Sequence, residues 1–340
     1  MTEIAISQES DKTLFNDLSQ LIEKSKEFVI VHANSTLTML FWNIGKRINE
    51  NILQNKRADY GKRIVPTLSQ ELTDKYGKNF ELRNLRRMMQ FSEQFPDEQI
   101  VVPLARQLSW SHLQILIPIK DEKERLFYAT ESINAKWGKR ELRQSIERKT
   151  FERTKIANAQ LINQSSIPVN IFKDPYFLDF MNLPKGFLEN DLEDAVLKEL
   201  ERFILEMGNG FAFIERQKRM IIDDEDHHLD LLFYHRTLKR LIAIELKLNK
   251  FQAKYKGQME LYLKWLNRYE KQEGEYEPIG LILCSEGNRE QIELLEIYKD
   301  GIIVSEYWTE LPPKKLLEQK IHEIVAETQE LFERNKELKK

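Results

Sequence analysis

Asp230, Glu245 and Lys247 are the residues whose types and spacing could do chemistry, and they lie in one stretch, HLDLLFYHRTLKRLIAIELKL, residues 228–248. Two apolar runs flank a basic, polar turn. Read as an antiparallel hairpin turning between Thr237 and Leu238, the stretch pairs Leu231 with Ile244, Phe233 with Ile242 and Leu229 with Leu246. These pairs share one face, because side chains alternate along a strand. The same register sets Asp230 opposite Glu245 and His228 opposite Lys247 on the second face. Opposed carboxylates repel, so a sheet built only for stability avoids them unless a cation lies between. A hard divalent cation fits: magnesium favours carboxylates and water and takes one or two protein carboxylates. Lys247 points to the same face as Glu245, where an ammonium orients water or stabilises charge on a phosphate. These are the requirements of metal-assisted phosphodiester hydrolysis. The competing reading is a solvent-facing sheet of surface ion pairs, which are frequent and contribute little.

The elements that must position this hairpin read as an α/β domain with a mixed sheet. A helix is expected near 190–207 and ends at Gly208-Asn209-Gly210. Strands follow at about 211–222, 228–235 and 240–248, then a helix at roughly 250–271, a strand at 279–285, a short helix near 288–297, a strand at 301–308 and a final helix from Pro312. Pairing the first two strands across an Asp223–Asp226 turn sets Arg219 opposite Asp230, with Gln217 on the same side. Gln217 there is either a holder of water or phosphate or a plain polar strand residue. Asp223-Asp224-Glu225-Asp226-His227-His228 is read as an acidic turn rather than a metal cluster, since Asp is favoured in turns. On the helix after Lys247, the residues Lys254, Gln258, Tyr262 and Trp265 form one stripe. Phe251, Tyr255, Met259, Leu263 and Leu266 form the opposite, core-facing one. Tyr262 and Trp265 read either as contacts to a nucleic acid or as core, where aromatics usually pack.

The first half reads helical. A long amphipathic stretch runs from Leu14 to Ile52, and a second helix covers Arg63–Tyr76 with Pro66 in its first turn. Gly77 ends it, and a third helix runs from Glu81 to Phe95. Ser109-Trp110-Ser111-His112 starts another, and two more are expected near 121–135 and 138–152. Helix, glycine-containing turn, helix at 63–95 suggests a helix-turn-helix. Arg83, Arg86, Arg87 and Gln90 lie on one face of its second helix, where they meet either phosphates and base edges or acids of a neighbouring helix. The segment 157–170, ANAQLINQSSIPVN, is polar, small and ends near proline, which marks a boundary. The expected organisation is a helical domain at 12–157, a linker at 158–170 and a second domain at 171–340.

At 340 residues the chain has room for two cores. Its 41% hydrophobic and 31% charged residues are a globular composition. No run approaches the ~20 apolar residues of a membrane helix, and the N-terminus lacks the pattern of a signal peptide. Cys284, the single cysteine, sits in the apolar run IGLILCS and points to a reducing, cytoplasmic setting. A net charge of −3 excludes a uniformly basic nucleic-acid binder, but residues 56–90 hold nine Lys/Arg against four Asp/Glu, and 136–155 eight against three. Such clusters either bind phosphates or are solvated helix faces.

Asp230, fourteen residues, then Glu245-Leu246-Lys247, within this order of elements, resembles the PD-(D/E)XK nuclease superfamily. QLSWSH (107–112), KDPYFLDF (173–180), GFAFIERQ (210–217), the hairpin and GQMELYLKWL (257–266) together resemble the YhcG family, over nearly the whole chain beyond the first dozen residues. The resemblance implies a winged-helix-like N-terminal domain before a restriction-endonuclease-like nuclease domain. It implies Asp230 and Glu245 as ligands of Mg2+ or Mn2+, the Leu246 carbonyl as a third, and Lys247 as the catalytic lysine. It implies a further carboxylate from the first core helix, Glu193 in DLEDAVLKEL, with Glu199 the weaker candidate. It also places Gln258 near the scissile phosphate, beside Lys254 and Tyr262. The expectation is a metal-dependent nuclease acting on nucleic acid, DNA before RNA, with no membrane partner and with a homodimer as one form of assembly. The rival is a catalytically silent nucleic-acid-binding or assembly module of a restriction or repair complex.

Overall fold

The computed structural model describes residues 2–54, 58–161, 167–183 and 186–338, and the chain divides into two compact units, 1–146 and 147–340.

The first unit is helical: α1 (Thr2–Gln54), α2 (Ala58–Tyr76), α3 (Leu82–Gln94), α4 (Glu98–Gln107), α5 (Trp110–Leu116), α6 (Glu122–Asn134) and α7 (Lys139–Glu147). α4 was not expected from the sequence. α2 begins before Arg63, so Pro66 lies inside the helix rather than in its first turn. Phe41, Ile48, Val65, Leu85 and Met88 make a shared core for α1, α2 and α3. The Trp42 indole donates to the Phe95 carbonyl at 2.7 Å, and the Asn49 amide donates to Met89 O and Ser92 Oγ. α1 and α3 approach so closely at Gly45 that a Cβ there would lie 1.9 Å from the Met88 oxygen. Gly77 takes φ 94 after α2, a backbone that favours glycine, and a short 3-10 turn at Lys78–Phe80 leads into α3. Among the described residues this unit contains no β-strand, so the α2–α3 pair stands without a wing.

The second unit is α8 (Thr150–Ala159), β1 (Tyr176–Phe177), α9 (Glu189–Lys198), α10 (Leu200–Met207), β2 (Phe211–Ile222), β3 (Glu225–His235), β4 (Arg240–Lys250), α11 (Ala253–Tyr269), β5 (Ile279–Glu286), α12 (Arg289–Leu294), β6 (Ile302–Trp308) and α13 (Lys314–Leu338). The helix expected at 138–152 is broken at Lys149, which takes φ 54, and α8 belongs to the second unit. Of the proposed linker, residues 162–166 lie outside the described residues. The helix expected at 190–207 is likewise two helices that meet at Glu199.

The six strands are ordered β1-β6-β5-β4-β3-β2. β2, β3 and β4 pair antiparallel, and β4, β5, β6 and β1 pair parallel, so the sheet is mixed. Both faces are covered, as parallel strands require. Leu192, Val196, Phe203 and Met207 of α9 and α10 pack with Leu231, Phe233, Ile242, Ile244 and Leu246 on one face. Tyr255, Met259, Tyr262 and Leu266 of α11 pack with Leu232, Ala243, Ile282 and Cys284 on the other. Beneath the sheet, Arg153 of α8 is 1% exposed and pairs with Glu206 of α10. Glu206 also accepts from the Phe177 backbone N–H at 2.9 Å. Burial alone would raise its carboxyl, but Arg153, Lys173 and Arg148 hold it below the usual range.

Candidate active site

β3 and β4 adopt the expected register, with Leu231 opposite Ile244 and Phe233 opposite Ile242. The ladder stops there. The next pair, Asp230 and Glu245, marks a fork where carboxylates replace backbone partners. Asp230 Oδ2 accepts from the Leu246 N–H at 2.7 Å, and Glu245 Oε1 faces the Asp230 N–H at 3.4 Å. β3 also turns about its axis at this point. Leu229 joins the core on the α11 face while Leu231 and Leu246 lie on the α9 face. Leu229 and Leu246 therefore do not share a face as expected, and His228 is paired with β2 rather than set opposite Lys247.

The β2–β3 register differs from the sequence reading by two residues. Asp223 and Asp224 both take positive φ, 50 and 62, and the strands pair from Ile222 with Glu225. That is the conformation of a two-residue hairpin turn, tighter than the four-residue turn expected. Arg219 therefore faces His228 and forks onto Asp226 at 2.7 and 3.2 Å. Gln217 takes the place across from Asp230. Its amide donates to Asp230 Oδ1 at 3.3 Å and to Glu193 Oε2 at 2.7 Å. Glu193 thus reaches the fork from α9, whereas Glu199, at the break between α9 and α10, pairs with Arg202.

The Lys247 ammonium lies 2.8 Å from Glu245 Oε2 and 3.4 Å from Glu189 Oε1. Glu189 was missed in the sequence; the signal was its position one helical turn before Glu193, on the same face. Gln258 donates to the Tyr262 hydroxyl at 2.8 Å, and that hydroxyl faces the His228 carbonyl at 3.3 Å. Tyr262 is 2% exposed, so its ring is core and not a surface for a base. Lys254 is exposed at the start of α11.

Electrostatically the fork carries more negative charge than its single ammonium offsets. Glu245 is 2% exposed and Asp230 8%. Burial and the neighbouring Asp230 push the Glu245 carboxyl up to about 7, against the pull of Lys247. Burial also raises Asp230, against the Leu246 N–H and Lys247. Glu193 is raised by burial and by Asp230. Burial alone would lower Lys247, but Glu245, Asp230 and Glu189 hold it well above the usual lysine range.

Among the described residues, no three His, Cys, Asp or Glu side chains are already drawn together as a ligand set. The donor chemistry nevertheless fits a hard divalent cation: Asp230 and Glu245 are buried, mutually repelling carboxylates, and Glu193 is linked to Asp230 through Gln217. In the first unit, Arg83, Arg86 and Gln90 are exposed along α3 and Arg87 is half-buried. No described helix is long and apolar enough to cross a membrane.

Residues 169–322 match the model of the YhcG PDDEXK nuclease domain, and residues 17–153 match that of the DUF1016 N-terminal domain. The Escherichia coli (strain K12) protein named "Putative nuclease YhcG" is 29% identical over 360 residues, covering 94% of this chain and 96% of its own. A repair endonuclease from Pyrococcus abyssi, known from a crystal structure, is 22% identical over 38% of this chain and half of its own, at a TM-score of 0.26. That likeness is too slight to carry an argument. The two matches follow one another along the chain, a region similar to the DUF1016 N-terminal domain before one similar to the YhcG PDDEXK nuclease domain, and the second holds the mixed sheet and the forked hairpin.

Proposed function

We propose that the protein is a magnesium- or manganese-dependent nuclease that hydrolyses phosphodiester bonds in DNA. The observation that carries this reading is the buried pair Asp230 and Glu245 beside a single ammonium at the fork of β3 and β4. Two carboxylates at a sheet fork destabilise an empty fold, and a divalent cation offsets their repulsion.

Asp230, Glu245 and the Leu246 carbonyl hold the ion, with Glu193 as the carboxylate from α9. A bound divalent ion supplies a nucleophilic water at neutral pH and neutralises charge on the phosphate. Glu245 and Glu189 hold the Lys247 ammonium at the edge of the fork. There it stabilises the charge that develops on the phosphate oxygens. Gln258 and Lys254, on the helix that follows, face the strand that enters. In the first unit, Arg83, Arg86, Arg87 and Gln90 on α3 contact the DNA backbone, which positions the duplex without reading its sequence.

The test is cleavage of labelled DNAs and RNAs with Mg2+, with Mn2+ and with chelator, running wild type beside Asp230→Ala and Lys247→Ala. Metal-dependent cutting of DNA that is lost in both variants supports the reading. Variants that cut like wild type remove the fork from the chemistry, and preferential cutting of RNA overturns the substrate assignment.

A further inference from the structure

We propose that Gln217 is a positioning residue of the carboxylate cluster: a local reversal of β2 aims its amide between Glu193 and Asp230 and so ties the α9 carboxylate to the fork. The inference rests on the nuclease reading and extends it to a residue outside the ligand set.

The argument begins with the backbone. Gln217 takes φ 47 in the middle of a strand, a left-handed conformation that residues other than glycine, asparagine and aspartate adopt rarely. Such outliers persist where the surrounding structure over-determines them, and they cluster at functional sites. This one does nothing for strand pairing. The register shift in β2 occurs earlier, between Phe213 and Glu215. On either side of Gln217, Arg216 pairs with Leu231 and Lys218 with Leu229 in an unbroken register. No residue has been inserted.

What changes is the direction of the side chains. In a regular strand Arg216, Lys218 and Met220 would share a face. Here Arg216 reaches α9 and pairs with Asp194 at 3.2 Å. Lys218 pairs with Glu270, just after α11, at 2.9 Å, and Met220 lies in the core on the α11 face. The strand reverses its faces at Gln217, so two consecutive side chains, Arg216 and Gln217, meet the consecutive acids Asp194 and Glu193. Directly across the ladder β3 reverses at Asp230, with Leu229 on one face and Leu231 on the other. The two reversals sit opposite each other, and the Gln217 amide is the hydrogen-bonded link between Asp230 and Glu193. An amide suits the place because it donates to two carboxylates without adding a charge. Groups that orient metal-binding side chains from behind typically contribute 10–100-fold to metal affinity.

The experiment compares the full-length wild type with Gln217→Gly, Gln217→Asn, Glu193→Gln and the Gln217→Gly/Glu193→Gln double variant. Two quantities are measured: Mn2+ affinity by calorimetry, and the melting temperature in chelator. The glycine variant does not serve as the sole probe, because glycine changes chain freedom as well as side chain; asparagine accepts the left-handed backbone and keeps the amide, one methylene short. The expected result is that Gln217→Asn melts no lower than wild type yet binds Mn2+ at least tenfold more weakly, as does Gln217→Gly. Glu193→Gln loses a similar factor, and the double variant loses no more than the worse single one, since the two residues act as one unit. Wild-type affinity in both Gln217 variants, or losses that multiply in the double variant, overturns the proposal while leaving the nuclease reading intact. A wild type that neither binds Mn2+ nor cuts DNA overturns both.

Discussion

Glu245→Gln is the substitution whose effect follows most directly from the fork. The carboxyl of Glu245 ordinarily titrates near 4.5, and in the fold burial and Asp230 push it up to about 7. The folded state therefore holds this proton more tightly than the unfolded chain does. Stability rises with pH only where the unfolded state binds more protons, so here it falls. The contribution is fully present below pH 4.5 and is lost as pH rises through about 7. Each pH unit of displacement corresponds to about 1.4 kcal/mol, which makes the full loss about 3 kcal/mol. Glutamine keeps the shape and cannot ionise. Urea denaturation in the presence of chelator should thus find the variant close to wild type at pH 4 and more stable by about 3 kcal/mol at pH 8. Asp174, whose carboxyl burial raises to about 6, is common to both proteins and cancels in the difference. A gap that stays constant between pH 4 and pH 8, or that shrinks as pH rises, would refute the argument that ionising Glu245 strains the fork.

Glu206→Ala strands Arg153, which is 1% exposed, without its carboxylate partner, and should destabilise the second unit by about 3–5 kcal/mol in chemical denaturation. Gly45→Ala forces a methyl onto the Met88 carbonyl; thermal melts should show the first unit destabilised by about 1–3 kcal/mol or more, because backbone rather than a flexible side chain must move. Arg86→Ala should weaken DNA binding to all sequences alike and flatten the dependence of log affinity on log salt by about 0.9, as loss of one phosphate contact does. An unchanged slope in a titration from low to moderate salt removes that arginine from the DNA contact.

The hairpin was legible because one register satisfied two demands at once: it set Leu231, Phe233, Ile242 and Ile244 on one face, where a slip by one residue would have turned Ile242 and Ile244 to the opposite face, and it brought Asp230 opposite Glu245. The fork was not legible. Alternation predicts a continuous ladder, and nothing in the residue types announces that β3 turns at Asp230. The β2–β3 register was misread because Asp223-Asp224 tolerates the positive φ of a tight turn, while the run of acids through Asp226 reads as a longer loop. The breaks at Lys149 and Glu199 were hidden for another reason. Both sit in helix-forming sequence, and packing of α8 and α10 on the sheet overrides local preference there. β1 is only Tyr176 and Phe177, too short for any period to register. Glu193 was found by likeness to a family and Glu189 was not, although the two lie one turn apart.

The strand order also dictates when the molecule can become whole. β2, β3 and β4 follow one another in the chain and need only tight turns to pair. Tyr176, by contrast, must wait for Tyr307, and β4 finds its parallel neighbour β5 only after α11 has been made. Closing such distant pairs costs chain entropy before any contact rewards it, which slows folding. During synthesis the acidic hairpin therefore emerges and pairs while the inner edge of β4 and the sheet face that α11 will cover are still bare. An unpaired apolar edge of that kind invites pairing with another chain. A polypeptide that stops short of Trp308 would carry Glu193, Asp230, Glu245 and Lys247 complete, yet present them on an open, adhesive sheet.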